Sequence, residues 1–399
     1  MNDRPIPAPE AAWQPTVRPE FSGKTAYGAP QLDVAVALNV NENPYPPSGP
    51  VAAAITAQIA EVVGGLNRYP ERDARALRTA LAGYVRSRVT PASSTGDFNG
   101  RLPGLDGDWI WPANGSNEVM AHILTAYAGP GRTMLTFPPT YSMYPEYALV
   151  THTTLTTVPR RAAFDIDLPH TLAVIAEQRP DVVMVTSPNN PTGTAIPLAE
   201  LTAIVAAAPG IVVVDEAYAE FARNPADTAL SLLATHRNVI VVRTMSKAFA
   251  LAGVRLGYAV AHPEVIAALR VVRLPYHLSA LTQAAATAAL AHADDLLADV
   301  AVLREERDLL VTWLRSCGLA VADSDANFVL FGRFADRHAV WQHLLDLGVL
   351  IRETGPDGWL RVSIGTRAEN AAFRAALQDV LTRPGVTVLP ETPPLEGTE

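Results

Sequence analysis

The feature that most constrains this chain is a series of short, continuously apolar runs rich in β-branched residues, separated by longer helical stretches. Strands that are buried on both faces of a parallel sheet have such continuous runs, whereas half-exposed strands alternate. The clearest runs are 181–186, 211–214 and 239–242. The stretch 198–208 between two of them follows Pro197 and ends at Pro-Gly, as a helix does. The region from about residue 109 to 261 is therefore predicted to be an α/β domain with a mostly parallel sheet.

Each of these three runs leads into polar residues. The first leads to Asn190, the second to Asp215 and Tyr218, and the third to Lys247. Ligands of open α/β sheets bind beyond the carboxyl ends of the strands, so these side chains are expected to converge on one edge. Singly, each has an ordinary explanation, because Asn-Pro-Thr-Gly is usually a turn and an Asp often caps a strand. Their occurrence in this order favours a functional site.

Lys247 is distinguished by composition. Of the 31 basic residues, 29 are Arg, and the other lysine is Lys24. A GC-rich genome accounts for the arginines but not for the retention of a lysine here. Lysine, unlike arginine, can lose its proton when it is desolvated or placed near another cation. The sequence therefore predicts that Lys247 supplies a reactive amine.

Bulk properties exclude several classes of function. A net charge of -9 and a pI near 5.5 argue against nucleic acid as a partner. The N-terminal stretch has no apolar signal segment, and no apolar run approaches the ~18 residues of a membrane helix. We therefore expect a cytoplasmic protein. The single cysteine, Cys317, excludes an internal disulfide and a thiolate metal cluster, and no metal site is predicted. It is expected to be a half-buried thiol at a helix end.

The length of 399 residues favours two domains. We predict a large domain over residues 50–285, and a smaller α/β domain formed by residues 1–49, an N-terminal lid segment, together with 286–399. The smaller domain would contain most of a long helix and a strand–helix–strand unit, followed by a disordered, extended tail. These predicted elements are the helix 281–314, the strands 327–331 and 360–364, the helix 337–347 and the tail 383–399. The Pro- and Gly-rich stretch 89–108 is predicted to be an exposed loop without a catalytic role.

The chain also resembles a known family. Its runs 190–193, 215–218 and 246–258 are similar to those of the fold-type I aminotransferases, which use pyridoxal phosphate. Further runs resemble the histidinol-phosphate aminotransferases, particularly their actinobacterial branch, and the motifs follow the family's order from about residue 27 to 365. These further runs are 38–44, 68–70, 139–141, 324–328, 351–352 and 360–366.

The resemblance implies roles around the cofactor ring. Lys247 would bind the aldehyde of pyridoxal 5'-phosphate and move a proton during the reaction. Asp215 would face the pyridine nitrogen, and Tyr218 and Asn190 would donate to the 3-oxygen. Tyr141 would stack on the ring face. From spacing alone, ordinary aromatic packing is the better explanation of Tyr141.

The resemblance also implies a phosphate site. Ser116 and Asn117 precede a predicted helix at 119–127, and backbone amides at a helix start suit an anion. Ser and Asn also cap ordinary helices, and the family often has an acid where this chain has Asn117. Ser246 and Arg255 would complete the site, with Thr244 as a further candidate.

The substrate residues implied by the resemblance lie in other parts of the chain. Arg361 would hold the α-carboxylate of glutamate or 2-oxoglutarate, and Arg361 and Arg352 would jointly hold the phosphate of histidinol phosphate. Tyr27 would contact substrate, Tyr69 would reach the site of the neighbouring subunit, and Asn43 would help to close the N-terminal lid. Solvated arginines and surface tyrosines are the ordinary explanation of these residues.

The implied activity is that of a homodimeric transaminase of histidine biosynthesis. It would convert L-histidinol phosphate and 2-oxoglutarate to imidazole-acetol phosphate and L-glutamate. One alternative is an aromatic amino acid aminotransferase acting on phenylalanine, and another is a pyridoxal-phosphate-dependent decarboxylase of a phosphorylated amino acid. The effector-binding half of a transcription regulator lacks support, because the chain offers no DNA-binding segment.

Overall fold

Twelve α-helices and twelve strands occur in the part of the chain that the computed structural model describes, residues 16–24, 28–88 and 104–390. The helices are α1 (Gly49–Val63), α2 (Arg75–Arg88), α3 (Ser116–Tyr127), α4 (Met143–Thr151), α5 (Leu168–Gln178), α6 (Leu198–Ala207), α7 (Pro263–Val272), α8 (Ala280–Ala291), α9 (Ala293–Leu297), α10 (Val300–Ser316), α11 (Arg337–Asp346) and α12 (Arg367–Leu381). The strands are β1 (Val36–Ala37), β2 (Ile110–Asn114), β3 (Thr133–Thr136), β4 (Thr154–Thr157), β5 (Val182–Thr186), β6 (Ile211–Asp215), β7 (Val239–Thr244), β8 (Leu256–Ala261), β9 (Ala320–Val321), β10 (Phe328–Gly332), β11 (Val349–Leu350) and β12 (Trp359–Ser363).

The three apolar runs are neighbouring strands of a seven-stranded sheet with the order β2-β8-β7-β6-β5-β3-β4. Strands β7, β6, β5, β3 and β4 are parallel, whereas β8 is antiparallel to both β7 and β2. The predicted α/β domain with a mostly parallel sheet is confirmed. Its parallel order places the carboxyl ends of β5, β6 and β7 side by side, where the site residues follow.

Helices cover both faces of this sheet, which is why its strands are continuously apolar. Alternate residues of β6 show the arrangement: Val213 packs with α3, α4 and α7, while Val212 and Val214 pack with the core on the opposite face. All three side chains are fully buried. Both faces of β6 are therefore apolar until the strand ends at Asp215.

The C-terminal part of the chain forms a second, antiparallel sheet of three strands in the order β12-β10-β9. Helices α10, α11 and α12 pack around it. A short parallel pair, β1 with β11, joins the N-terminal segment to this region. The N-terminal segment is thereby held beside strands that lie more than 300 residues later in the chain.

The predicted single helix over 281–314 is wrong. The chain leaves the helical conformation at His292, where φ is −117° and ψ is 29°, and it forms α8, α9 and α10 in succession. Helix α8 packs against α1 and α2, whereas α10 packs against β9, β10 and α12. Because the two helices pack against different elements, the chain must change direction between them. The division into domains at residue 285 falls within α8 and stays a proposal.

Two other predictions concern segments that are only partly described. Residues 89–103 of the predicted exposed loop lie outside the described residues, but Leu105 is buried and Asp108 pairs with Arg78 at 2.9 Å, so the end of this stretch belongs to the fold. Of the predicted disordered tail, residues 391–399 are not described. The preceding residues are anchored, since Leu389 donates its amide to the Arg333 carbonyl at 2.6 Å. Cys317 is half-buried at the end of α10, as predicted.

No helix among the described residues is long and apolar enough to cross a membrane.

Candidate active site

A cavity of about 270 Å³ lies at the carboxyl ends of β5, β6 and β7. The three-stranded sheet region and the N-terminal segment close it from the other side. Twelve of the fifteen residues predicted for the site line this cavity. They are Ser116, Asn117, Tyr141, Asn190, Asp215, Tyr218, Thr244, Ser246, Lys247, Arg255, Arg352 and Arg361.

Asp215 is the last residue of β6, and its carboxylate is almost completely buried. Its Oδ2 accepts a hydrogen bond from the Tyr144 hydroxyl at 2.8 Å, and its Oδ1 accepts one from the Ala217 amide at 3.2 Å. Burial raises the pKa of Asp215 from 3.8 to about 6, and the two donors oppose this increase. A carboxylate that is buried without a cation as its main partner is suited to receive one from a ligand.

Lys247 follows β7 and its amine is enclosed in the cavity. Its Nζ donates to the Val40 carbonyl of the N-terminal segment at 2.9 Å. Burial, together with the positive charges of Arg361 and Arg255, lowers the pKa of Lys247 to about 8. The physical condition for a reactive lysine, desolvation close to other cations, is therefore met.

Tyr218 and Asn190 meet beside Asp215 in the cavity. The Asn190 amide nitrogen lies 3.5 Å from the Tyr218 hydroxyl, which also accepts a hydrogen bond from Asn41 at 3.1 Å. The Asn190 oxygen accepts from Arg361 at 2.6 Å. The orientation of the Asn190 amide is thus fixed by an arginine, and its NH₂ group faces the tyrosine.

A cradle for an anion forms where β7 and β8 meet the start of α3. Arg255 donates to the Ser246 hydroxyl at 3.3 Å, and the Thr244 hydroxyl donates to the same oxygen at 3.0 Å. The backbone here is very close: a Cβ on Gly257 would lie 2.2 Å from the Ser116 nitrogen, so only glycine fits. The cradle unites the amides at the start of α3, a hydroxyl and a guanidinium, a combination that suits a phosphate.

Asn117 and Tyr141 lie at the rim of this cradle. The Asn117 side-chain oxygen accepts from the Tyr147 hydroxyl at 2.9 Å and from the Tyr141 hydroxyl at 3.5 Å. Tyr141 also packs edge-to-face against the buried Tyr144, with ring centroids 5.7 Å apart. Its ring is therefore held at the mouth of the cavity.

Two arginines approach from the small-sheet region. Arg361 on β12 is buried, donates to the Asn39 carbonyl at 2.9 Å and lies over the Phe328 ring at 5.1 Å. Arg352 is partly exposed and pairs through its backbone with Arg361, while its guanidinium donates to the Gly28 carbonyl at 3.3 Å. The cavity thus contains a second cationic region, separate from Arg255 in its contacts.

Three predicted residues do not line the cavity or are not described. Asn43 lies beside it and donates to the Ala248 carbonyl at 3.2 Å. Tyr69 is 79% exposed and stacks on the Tyr276 ring at 4.4 Å, outside the cavity of its own chain. Tyr27 lies outside the described residues.

Sequence reasoning missed several residues that line the cavity or support its side chains. Asn39 and Asn41 could have been found, because both belong to the run 38–44, which is one of the motifs that carry the family resemblance. Tyr144 and Tyr147 had no such signal, since their contacts depend on how α4 packs against the sheet. Thr140 and Thr186 also line the cavity, and neither was predicted.

This fold and site are those of an amine-transferring enzyme. The family model described as aminotransferase class I and II matches residues 34–377, so the chain belongs to that family and is an aminotransferase. The histidinol-phosphate aminotransferase of Thermobifida fusca is 58% identical over 361 residues, which cover 90% of this chain and 94% of the relative. Histidinol-phosphate aminotransferase 3 of Burkholderia lata is 54% identical over 365 residues, covering 92% and 95%.

Solved structures agree with this assignment. The crystal structure of histidinol-phosphate aminotransferase from Sinorhizobium meliloti in complex with pyridoxal-5'-phosphate superposes with a TM-score of 0.75 at 26% identity. The match covers 87% of this chain and 91% of the other. The fold and the family predicted from the motifs are therefore confirmed.

Proposed function

We propose that this chain is a histidinol-phosphate aminotransferase that uses pyridoxal 5'-phosphate. The observation that carries the proposal is one cavity that holds a buried lysine amine and two separately built cationic regions. One region, around Arg255, fits the phosphate of the cofactor. The other, formed by Arg352 and Arg361, fits an anionic group of the substrate. The names of the relatives from Thermobifida fusca and Burkholderia lata support the same substrate.

The residues of the cavity fit the cofactor group by group. The cofactor, when bound, supplies an aldehyde that combines with amines and a ring that withdraws electrons from them. Asp215 would pair with the protonated ring nitrogen, and Tyr218 and Asn190 would donate to the 3-oxygen. Tyr141 would cover one face of the ring, and Lys247 would reach the aldehyde.

The phosphate of the cofactor would lie in the cradle. Ser116 and Asn117 would offer backbone amides at the start of α3, and the hydroxyls of Ser246 and Thr244 lie next to Arg255. These donors surround an anion with partial and full positive charge, as phosphate binding requires.

Lys247 would be suited to accept the proton from the substrate carbon that carries the amine and to return it to the cofactor carbon beside that amine. Since its pKa is lowered to about 8, the neutral amine is more abundant near neutral pH than for an exposed lysine. The same amine can therefore accept a proton and return it. Val40 supplies a carbonyl that holds Nζ in the cavity at 2.9 Å.

Arg361 and Arg352 would bind both substrates in turn. A planar guanidinium binds a carboxylate or a phosphate through paired hydrogen bonds, so one pair of arginines serves 2-oxoglutarate and histidinol phosphate. Asn43 is proposed to hold the N-terminal segment near Lys247, through its bond to the Ala248 carbonyl. The substrate contact proposed for Tyr27 stays a prediction.

The proposal is tested by a substrate screen of the cofactor-loaded protein. Candidate amine donors are mixed with it in the absence of 2-oxoglutarate, and conversion of the bound cofactor to its amine form is followed by absorbance. L-histidinol phosphate is expected to convert it fastest, and inorganic phosphate to compete. Faster conversion by L-phenylalanine would support the aromatic alternative, and release of carbon dioxide from a phosphorylated amino acid would support a decarboxylase.

We further propose a homodimer in which Tyr69 completes the site of the partner subunit. Its 79% exposure and its stacking on the exposed Tyr276 ring support a surface that a second copy covers. The test mixes Lys247→Ala with Tyr69→Ala under conditions that exchange subunits. A mixed dimer has one complete site if Tyr69 acts across the interface, so activity is expected to return. If no activity returns, Tyr69 does not complete the partner subunit's site.

The cytoplasmic location expected from the sequence stays a prediction.

A further inference from the structure

The Asp215 carboxylate is held on both of its oxygens, and one of the two donors comes from outside its own strand. Tyr144 on α4 is completely buried, and its hydroxyl lies 2.8 Å from Asp215 Oδ2. Oδ1 accepts from the Ala217 amide at 3.2 Å. The carboxylate group is thus fixed in orientation by a phenol on one oxygen and a backbone amide on the other.

The direction of the hydrogen bonds follows from the groups involved. The Tyr144 hydroxyl also lies 2.6 Å from the Thr186 hydroxyl, and Thr186 ends β5 directly beside Asp215 in the sheet register. An ionised carboxylate accepts but does not donate, so the phenol donates the hydrogen bond to Asp215. Thr186 is then the donor to the phenol oxygen. Two hydroxyls in series point toward the carboxylate and strengthen each other.

The groups around Asp215 differ in whether they favour or disfavour the charged form of its carboxylate. The Tyr144 hydroxyl donates a hydrogen bond to the carboxylate and so favours its charged form. Burial and the neighbouring Glu216 both disfavour its charge. Two other titratable groups nearby, Lys247 and Tyr218, line the same cavity. A third, Arg160, lies behind the phenol and donates to the Thr186 carbonyl at 3.4 Å.

We propose that Tyr144 is a positioning residue whose hydroxyl keeps the Asp215 carboxylate charged and directed at the ring nitrogen of the cofactor. The inference rests on the proposed function, because it requires pyridoxal phosphate as the ligand of Asp215. A donor to the carboxylate favours the charged form, and a charged carboxylate keeps the proton on the ring nitrogen. Thr186 supports this by holding the phenol.

The experiment measures the affinity of the apoprotein for pyridoxal 5'-phosphate as a function of pH. The variants are Tyr144→Phe, which keeps the ring and removes the hydroxyl, and Thr186→Val, which keeps the shape and removes the donor to Tyr144. Tyr258→Phe is the matched control, because it removes another fully buried phenol that lies away from the cavity. Folding of each apoprotein is checked by circular dichroism.

In the wild type, affinity is expected to fall with decreasing pH as Asp215 becomes protonated. In Tyr144→Phe the midpoint of this fall should move upward by about one pH unit, with a smaller shift in the same direction for Thr186→Val. Tyr258→Phe should follow the wild type. A Tyr144→Phe profile that coincides with that of the wild type would overturn the inference, and so would an equal shift in Tyr258→Phe.

Two further outcomes are kept distinct. If Tyr144→Phe does not fold, Thr186→Val decides: an upward shift supports the role of the hydroxyl pair, and an unchanged profile overturns it. If the wild-type protein does not bind pyridoxal 5'-phosphate at any pH, the proposed function fails, and the inference fails with it. Wild-type binding with unchanged variants refutes the inference alone.

Discussion

The two sides of the cavity are built in different ways. On the sheet side, Asp215 and Lys247 stand at the ends of adjacent parallel strands and are buried by the fold itself. On the opposite side, Arg361 and Arg352 meet an N-terminal segment that lies more than 300 residues earlier in the chain. The sheet side depends on local strand order, whereas the other side depends on packing between distant segments. This difference agrees with the proposed division, in which the chemistry belongs to the first side and substrate binding to the second.

The largest effect is expected from Lys247→Ala. In the proposed site, loss of the amine would remove both the attachment of the cofactor and the group that moves the proton, so turnover should fall by roughly 10³-fold or more. Steady-state assay with histidinol phosphate and 2-oxoglutarate measures it. The matched control is Lys24→Ala, since Lys24 is half-exposed and pairs with Glu146 at 2.8 Å. Comparable losses of turnover in both variants would show that Lys247 has no specific catalytic role.

A somewhat smaller loss of turnover, about 10²-fold, is expected for Asp215→Asn, because the neutral amide cannot balance the charge of a protonated cofactor ring.

The same substitution, Asp215→Asn, should stabilise the apoprotein above pH 6. The pKa of Asp215 is raised from 3.8 to about 6 in the fold, so stability is lost as the pH rises through this range and the buried group ionises. The gain is at most about 3 kcal/mol at pH 7.

Thermal and denaturant unfolding of the apoprotein at pH 4 and pH 7 check this prediction. The difference between Asp215→Asn and wild type should be present at pH 7 and absent at pH 4. Asp181→Asn is the control, because Asp181 lies at the amino end of β5, bonded to the Thr133 amide at 2.9 Å. If Asp215→Asn is less stable than the wild type at pH 7, this would contradict the free-energy cost assigned to burying the charge of Asp215.

The binding side is expected to respond more weakly. Arg361→Ala should raise KM for both substrates by about 10- to 100-fold, because each loses a charge-assisted hydrogen bond. Arg237→Ala, which removes an exposed arginine paired with Glu264 at 3.7 Å, should leave both values unchanged. An increase confined to one substrate would show that the two anions do not share Arg361.

The smallest effect is expected for Arg352→Ala. This arginine is partly exposed, and solvent-screened contacts contribute about 0–1 kcal/mol, so KM for histidinol phosphate should rise only a few-fold. Initial-rate measurements beside Arg361→Ala give the comparison. A larger effect than that of Arg361→Ala would reverse the order of the two arginines and place the main anion contact nearer the surface.

The same contrast explains how much could be predicted from sequence. Asp215 and Lys247 were accessible because an apolar run marks a strand, and a parallel sheet brings strand ends together. The contacts of Arg361 with Asn39 and Asn190 were not, since no local pattern specifies which distant segments meet. The break at His292 was missed for a similar reason, because Ala-rich spacing continues through a change of packing partners.

Supporting residues were the least predictable part of the site. Tyr144 lies on α4, in a sequence context that fits any amphipathic or buried helix, and its role arises from a 2.8 Å contact across the sheet edge. Arg255 was placed by the family resemblance, but the neighbouring Gly257 does leave a local mark, since it allows a backbone approach to Ser116 that any side chain would block. Close backbone approaches thus leave a mark in the sequence, whereas side-chain contacts across elements do not.

The most direct test of the central claim is to map where the cofactor attaches. The protein is loaded with pyridoxal 5'-phosphate, reduced with borohydride, digested and analysed by mass spectrometry. The chain has two lysines, so the result distinguishes Lys247 at the end of β7 from the half-exposed Lys24. We predict one stoichiometric adduct on the peptide that contains Lys247. An adduct on Lys24, or no adduct at all, would contradict the assignment of the sheet side as the chemical centre.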